Sequence, residues 1–147
     1  MDGYEISTDP ARLDCRAIHA YLTRSYWSPG IPLEIVDRAA RNSLCFGVYE
    51  NATGAQVGFT RVVTDHATFA YLCDVYVLEE HRGRGLSKWM MREVMAHPAL
   101  AGARRVMLAT RDAHGLYAMS GFIVAGAAGN LMEIVRPDIY LRHSSGT

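Results

Sequence analysis

One segment limits the choice of fold more than any other: Asp74-Val75-Tyr76-Val77-Leu78-Glu79-Glu80-His81-Arg82-Gly83-Arg84-Gly85-Leu86-Ser87. An extended apolar run enters a turn with two glycines. Helical spacing then begins at once, with Leu86, Met90 and Val94 at i, i+4 and i+8. Glycine permits positive φ and lets a ligand approach the backbone closely. The free N–H groups and positive end of the helix that opens there form an anion site suited to a pyrophosphate. Arg82 and Arg84 add charge-assisted donors. Two familiar phosphate loops are excluded: no GxxxxGK[ST] run exists, and GxGxxG fails because Lys88 stands where the last glycine is required. Taken alone, Arg-Gly-Arg-Gly also reads as an ordinary basic strand-to-helix turn.

The rest of the chain supplies a sheet for that unit. Tyr4 to Ser7 alternates weakly as a first strand, and Asp9-Pro10 reads as an N-cap followed by proline at the first helical position. Cys15, Ile18 and Leu22 mark one face of a helix ending near Arg24. Ser28-Pro29-Gly30 breaks it, and Pro32 opens a second helix with Leu33, Val36 and Ala40 on one stripe. The spacing then turns extended: Leu44 to Tyr49, Gln56 to Val63 and Thr68 to Leu78 form a meander. After the glycine turn and its helix, His97-Pro98 is a stop. Arg105 to Ala109 is predicted as a strand and Ala113 to Met119 as a short helix ended by Gly121. Phe122 to Ala125 and Leu131 to Val135 read as two last strands, split by the small residues 126–129, with a frayed tail from His143. The class is α+β: a single domain over residues 1–147, with a mixed, mostly antiparallel sheet of six to seven strands and about four helices.

Composition fits one such core. The 147 residues are half apolar and one-fifth charged, with 15 basic against 15 acidic residues. Zero net charge argues against a general nucleic-acid binder, which needs a strong positive field. The three cysteines, Cys15, Cys45 and Cys73, include no CxxC pair, so a reduced, cytoplasmic chain with buried thiols is expected. His19, His97 and His143 show no ligand spacing, and no metal is expected. No basic-then-apolar leader opens the sequence, and nowhere do eighteen apolar residues run together, so no membrane partner is expected.

Arg82-Gly83-Arg84-Gly85-Leu86 after Val75-Tyr76-Val77 resembles motif A of the GNAT (Gcn5-related N-acetyltransferase) superfamily, Q/R-x-x-G-x-G/A behind a V-x-V strand. Glu80 stands at the first motif position, where that family usually has Gln or Arg. Leu116-Tyr117-Ala118-Met119-Ser120-Gly121-Phe122 resembles the family's later l-Y-x-x-x-G-F run, and the order of elements is similar along nearly the whole chain. The resemblance implies that acetyl-CoA is the cosubstrate, lying in an opening between the fourth and fifth strands. Its pantetheine would pair with the backbone of Val75, Tyr76 and Val77, and its pyrophosphate would rest on Arg82, Gly83, Arg84, Gly85, Leu86 and Ser87. The reaction implied is direct attack of a small-molecule or peptide amine on the thioester. Tyr117 matches the tyrosine that protonates the departing thiolate; a packing tyrosine is the plain alternative.

Asp74 is a carboxylate flanked by apolar residues, in a Tyr71-Leu72-Cys73-Asp74 stretch similar to the Y-L-E-D of polyamine acetyltransferases, with Cys73 in place of the glutamate. It reads either as a group that orients the amine or a proton-carrying water, or as a structural aspartate at a β-bulge. Acceptor contacts in the family come from the first helices and their connection. Tyr26 and Trp27 are the candidates there, with burial over the sheet as the alternative. A non-catalytic acyl-CoA sensor on the same fold is the alternative function. A homodimer is the assembly common in the family.

Overall fold

The structure, a computed structural model, describes residues 1–126 and 128–141. Its elements run β1 (Tyr4–Ser7), α1 (Cys15–Leu22), α2 (Leu33–Arg41), β2 (Leu44–Glu50), β3 (Gln56–Thr64), β4 (Phe69–Val77), α3 (Leu86–Ala96), α4 (Pro98–Ala101), β5 (Arg105–Leu108) and α5 (His114–Ala118). Short 3-10 turns lie at Pro10–Arg12, Glu79–His81 and Ala128–Asn130. Five strands form one sheet in chain order, β1-β2-β3-β4-β5. The first three junctions are antiparallel, and β4 with β5 is parallel. Short turns can join only antiparallel neighbours, whereas the crossover through α3 and α4 brings β5 back in the direction of β4.

Two cores cover the two faces. Phe46, Val48, Ala70 and Leu72 face α3, whose Leu86, Met90, Met91 and Val94 are buried against them. Cys45, Phe59 and Tyr76 face α1 and α2, where Ile18, Leu22, Val36 and Ala40 meet them. Strand alternation assigns these faces until β4 reaches its bulge. Phe59 pairs with Tyr76 and Arg61 with Cys73, so Asp74 and Val75 together oppose the single residue Thr60. Asp74 takes φ 58°, a left-handed conformation that Asp tolerates better than most residues. The extra residue switches the parity: Ala70 and Leu72 point to the α3 side, yet Tyr76 points to the α1 side.

Three expectations are corrected. The first helix starts at Asp14, whose carboxylate accepts from Ala17 N–H; Asp9 caps only the 3-10 turn, accepting from Ala11 N–H. Leu13, extended at ψ 133°, separates the two. His97 ends α3, but Pro98 then opens α4, with the His97 ring accepting from Ala99 N–H. The last correction is the largest. The sheet has five strands, not six or seven, because neither 122–125 nor 131–135 finds a neighbouring backbone to pair with among the described residues. The stretch 126–129 lies partly outside the described residues, and the tail from His143 does so wholly.

The β3–β4 turn is held by Asp65. Its carboxylate accepts from the Thr68 hydroxyl at 2.6 Å and from the backbone N–H groups of Thr68, Ala67 and Phe69 at 2.8, 3.0 and 3.2 Å. These bonds, that of the Thr68 hydroxyl first, hold the carboxyl well below the usual carboxylate range. A carboxyl depressed by folding stabilises above its unfolded pKa and loses that effect as pH falls through its folded value. The gap in melting temperature between the wild type and Asp65→Ala will therefore stay constant near neutrality and narrow below about pH 4, as read by thermal unfolding across pH.

Candidate active site

The β4–β5 ladder is short. Parallel pairing covers only Phe69–Leu72 with Arg105–Leu108, and β4 then runs on through Cys73–Val77 without β5 beside it. The strands part, and a cavity of about 850 Å³ fills the split. Cys73–Val77 form one wall, Leu108–Ala113 with Leu116 and Tyr117 the opposite wall, and Tyr21 with Arg24–Trp27 the rim.

At one end of this cavity the glycine turn opens α3. Gly83 and Gly85 have φ of 79° and 80°, and a Cβ on Gly83 would meet nothing within 4 Å. Conformation, not crowding, is what calls for glycine there. Gly85 is the N-cap of α3 and brings no side chain to cap it. The first-turn N–H groups have no acceptor within the helix, and Ser87 on that turn lines the cavity. Leu86 anchors the turn from below by burying its side chain in the core. Arg84 is exposed. Arg82 is committed to the protein: its Nε donates to the Val77 carbonyl at 2.9 Å and its guanidinium to the Tyr21 hydroxyl at 3.0 Å. These two bonds pin the turn to the end of β4 and to α1, and three of the five guanidinium N–H donors remain.

Tyr117 sits on the opposite wall, buried on α5. The helix end that fixes it is a Schellman motif. Phe122 N–H donates to the Tyr117 carbonyl at 3.2 Å, Gly121 N–H to that of Ala118 at 3.0 Å, and Gly121 takes φ 94°. The Phe122 ring meets Tyr117 edge-on with centroids 6.1 Å apart, the apolar contact that accompanies the motif. Burial, with the nearby Tyr26 phenol second, raises the Tyr117 pKa, so the hydroxyl keeps its proton at neutral pH.

Asp74 is held by two partners. Trp27 Nε1 donates to one carboxylate oxygen at 3.0 Å, and Arg61 Nε donates to the other at 2.9 Å in an ion pair. The Asp74 side chain is 8% exposed and that of Arg61 21%. Asp74 thus lies at a β-bulge, one of its two expected settings, but its bonds go to side chains of β3 and of the α1–α2 connection. A carboxylate offers about four lone-pair sites, so two remain for a donor from the cavity. Burial pushes the thiol of Cys73, beside it, up to about 11, away from the thiolate form.

An aromatic row leads outward from the bulge. Tyr76 stacks on Tyr21 at 4.0 Å with rings within 7° of parallel, Trp27 follows, and Tyr26 meets Trp27 edge-on at 5.1 Å. Arg111 lies over the Tyr26 ring at 3.7 Å and Arg24 over Tyr21 at 4.8 Å. Tyr26 and Trp27 therefore line the rim at 51% and 38% exposure; they do not cover the sheet. His114 lies outside this cavity, on a groove behind Tyr117.

These features coincide with a known family. The model of the acetyltransferase (GNAT) family matches residues 8–122. The chain belongs to the GNAT acetyltransferases. A presumed acetyltransferase of Gibberella zeae is 40% identical over 135 residues, 78% of this chain and 75% of that protein. The crystal structure of a presumed GNAT acetyltransferase from Xanthomonas campestris pv. campestris is 52% identical, with a TM-score of 0.91 over 95% of this chain and 98% of its own. A presumed acetyltransferase of Deinococcus radiodurans shares the fold at 21% identity and a TM-score of 0.73 over 93% of this GNAT chain and 91% of its own.

Arg61, Tyr21 and Arg111 were not legible as site residues. Arg61 did leave a signal, as the single charged residue within the strand Gln56–Val63. Removing one member of a mostly buried ion pair leaves the other uncompensated. Arg61→Met will lower stability by about 2–4 kcal/mol in urea unfolding, and the double variant Arg61→Met/Asp74→Asn will recover part of that loss.

Proposed function

We propose that this chain transfers the acetyl group of acetyl-CoA directly to an amine, carried by a small molecule or a peptide, with both substrates held at the split between β4 and β5. The observation that carries the reading is that split. It places a strand with free backbone, an uncapped helix N-terminus and a protonated tyrosine around one cavity.

The residues fit the cosubstrate. Val75, Tyr76 and Val77 line the split where β5 no longer runs beside β4, the setting in which pantetheine amides would pair with backbone, and the Val77 carbonyl already accepts one bond from Arg82. Amides from Gly83 to Ser87 suit the pyrophosphate. Acetyl-CoA supplies the activated acyl group. No described helix is long and apolar enough to cross a membrane.

Three needs remain for the protein. An amine of the lysine type has a pKa near about 10.4 and arrives mostly protonated. Asp74 orients that ammonium, or the water that takes its proton, with the lone pairs left over from Trp27 and Arg61. As the amine nitrogen bonds to the acyl carbon and the carbon–sulfur bond breaks, Tyr117 gives its proton to the sulfur. The thiol formed has a pKa of about 8.5, below that of the raised phenol, so full transfer is uphill. The hydroxyl acts by donating to the sulfur as negative charge develops there. Any proton it gives up is restored from solvent, which also takes the proton lost by the amine. Tyr26 and Trp27 wall the acceptor end, where the aromatic faces also suit a cationic group.

Binding is tested by thermal unfolding with acetyl-CoA, free CoA and ATP. Saturating acetyl-CoA or CoA, at about 100 times its Kd, will add about 2.7 kcal/mol of stability, with little from ATP. No shift with either CoA species would remove the reading. Chemistry is tested by thiol release over a panel of amines. Tyr117→Phe will lower kcat by about 100-fold or more with little change in acetyl-CoA affinity, and Asp74→Asn will raise the amine KM. Unchanged turnover in Tyr117→Phe would reject it as the acid.

A further inference from the structure

Two arginines sit on the aromatic row at the cavity mouth. Arg24 lies over the Tyr21 ring at 4.8 Å, and Arg111 lies over the Tyr26 ring at 3.7 Å. They come from separate elements, Arg24 from the α1–α2 connection and Arg111 from the residues after β5. Trp27 neighbours both rings, its centroid 6.2 Å from that of Tyr21 and 5.1 Å from that of Tyr26. The same indole donates to Asp74.

The charges around the cavity do not balance. Arg24, Arg82 and Arg111 line it against Asp74 and Asp112. Asp74 is already met by Arg61, which lies outside the lining. Asp112 is exposed, and among the described residues it forms no ion pair with Arg24 or Arg111. Those two arginines therefore bring positive charge to the mouth with no carboxylate of the chain's own. Stacking holds a guanidinium by its face and leaves its edge N–H donors open. That edge is a fork that matches a carboxylate or a phosphate in two parallel bonds. The same charges repel a second cation.

We propose that the acceptor is an amine that also carries an anionic group, a carboxylate or a phosphate, received by Arg111 and Arg24 while the amine lies at Asp74. This rests on the acetyl-transfer reading above and narrows it. Asp74 takes the ammonium, and the stacked arginines take the anion, so both charges of an amino-acid-type molecule are met. A diamine would bring its second ammonium to two guanidinium groups, and a plain amine would leave them unanswered.

Matched pairs of amines test this: glycine, γ-aminobutyrate and phenylalanine, each against its amide, and phosphoethanolamine against ethanolamine. Thiol release from acetyl-CoA reads transfer, and calorimetry on the CoA-loaded protein reads binding of the same amines. The expected result is a kcat/KM at least about tenfold higher for the anionic member of one or more pairs, carried by KM and shrinking as salt rises. Whether the carboxylate pairs or the phosphate pair show it names the anion. Arg111→Gln and Arg24→Gln will each bring that ratio toward one, and Arg111→Glu will turn a carboxylate pair in favour of the amide. Equal handling within every pair, or no binding of any anionic amine, overturns the proposal. A preference that survives both glutamine substitutions overturns it as well. Thermal unfolding with CoA separates the two readings: no CoA shift removes acetyl transfer and this inference with it, whereas a CoA shift without anion preference removes this inference alone.

Discussion

The bulge at Asp74 and Val75 sets what the two ends of β4 can do. Before it, β4 is an ordinary sheet strand, flanked by β3 and β5, with Ala70 and Leu72 in the core under α3. Beyond it, the side chains have exchanged faces, so Tyr76 meets Tyr21 on the α1 side. Asp74 holds the distortion in place, because its carboxylate is bonded to both Arg61 and Trp27. Left-handed backbone at a non-glycine residue costs on the order of 1 kcal/mol or more, and it persists when surrounding contacts fix it. The Thr60 hydroxyl, donating to the Cys73 carbonyl at 3.1 Å, secures the strand opposite the extra residue. A regular strand would turn Tyr76 to the other face, and the aromatic row would lose its base.

The same network couples the two ends of the cavity. Trp27 belongs to the connection between α1 and α2, and its indole reaches Asp74 across 47 residues of sequence. Arg82 belongs to the glycine turn, yet its guanidinium reaches Tyr21 on α1. Tyr21 stacks on Tyr76, two residues beyond Asp74. The aromatic rim, the bulge and the glycine turn therefore form one bonded circuit around β4. Disturbing the rim at Trp27 would be felt at Asp74 through a hydrogen bond to a charged group, a kind worth about 1.5–3 kcal/mol when shielded and less at a partly exposed position.

How much of this was legible depended on how local each signal was. The glycine turn, the α3 stripe and the Gly121 helix end are encoded within a few residues, and the structure has each where the sequence places it. The Schellman geometry even supplies a physical reason for the Tyr-x-x-x-Gly-Phe spacing, since Tyr117, Gly121 and Phe122 are its C3, C′ and C″ positions. Arg61 and Tyr21 were missed because their roles come from tertiary pairing with Asp74, Arg82 and Tyr76, which no local pattern encodes. The first helix was started too early for a related reason. Asp9 and Asp14 are both good caps, and only the extended Leu13 between them makes the second one the start of α1.

The two missing strands are a different kind of miss. Residues 122–125, apolar between Gly121 and Gly126, and 131–135, apolar but for Glu133 between Asn130 and Arg136, read locally as strands. Local criteria state what a segment can pair as, whereas a strand also needs a backbone beside it. The β5 edge is such a backbone, and it lies within reach of the same stretch across the groove behind Tyr117. An unsatisfied segment beside an unsatisfied edge is a conflict between local and global order, and natural sequences keep such conflicts few. Which backbones meet is decided by the tertiary fold, and a local pattern of apolar and β-branched residues carries no record of it.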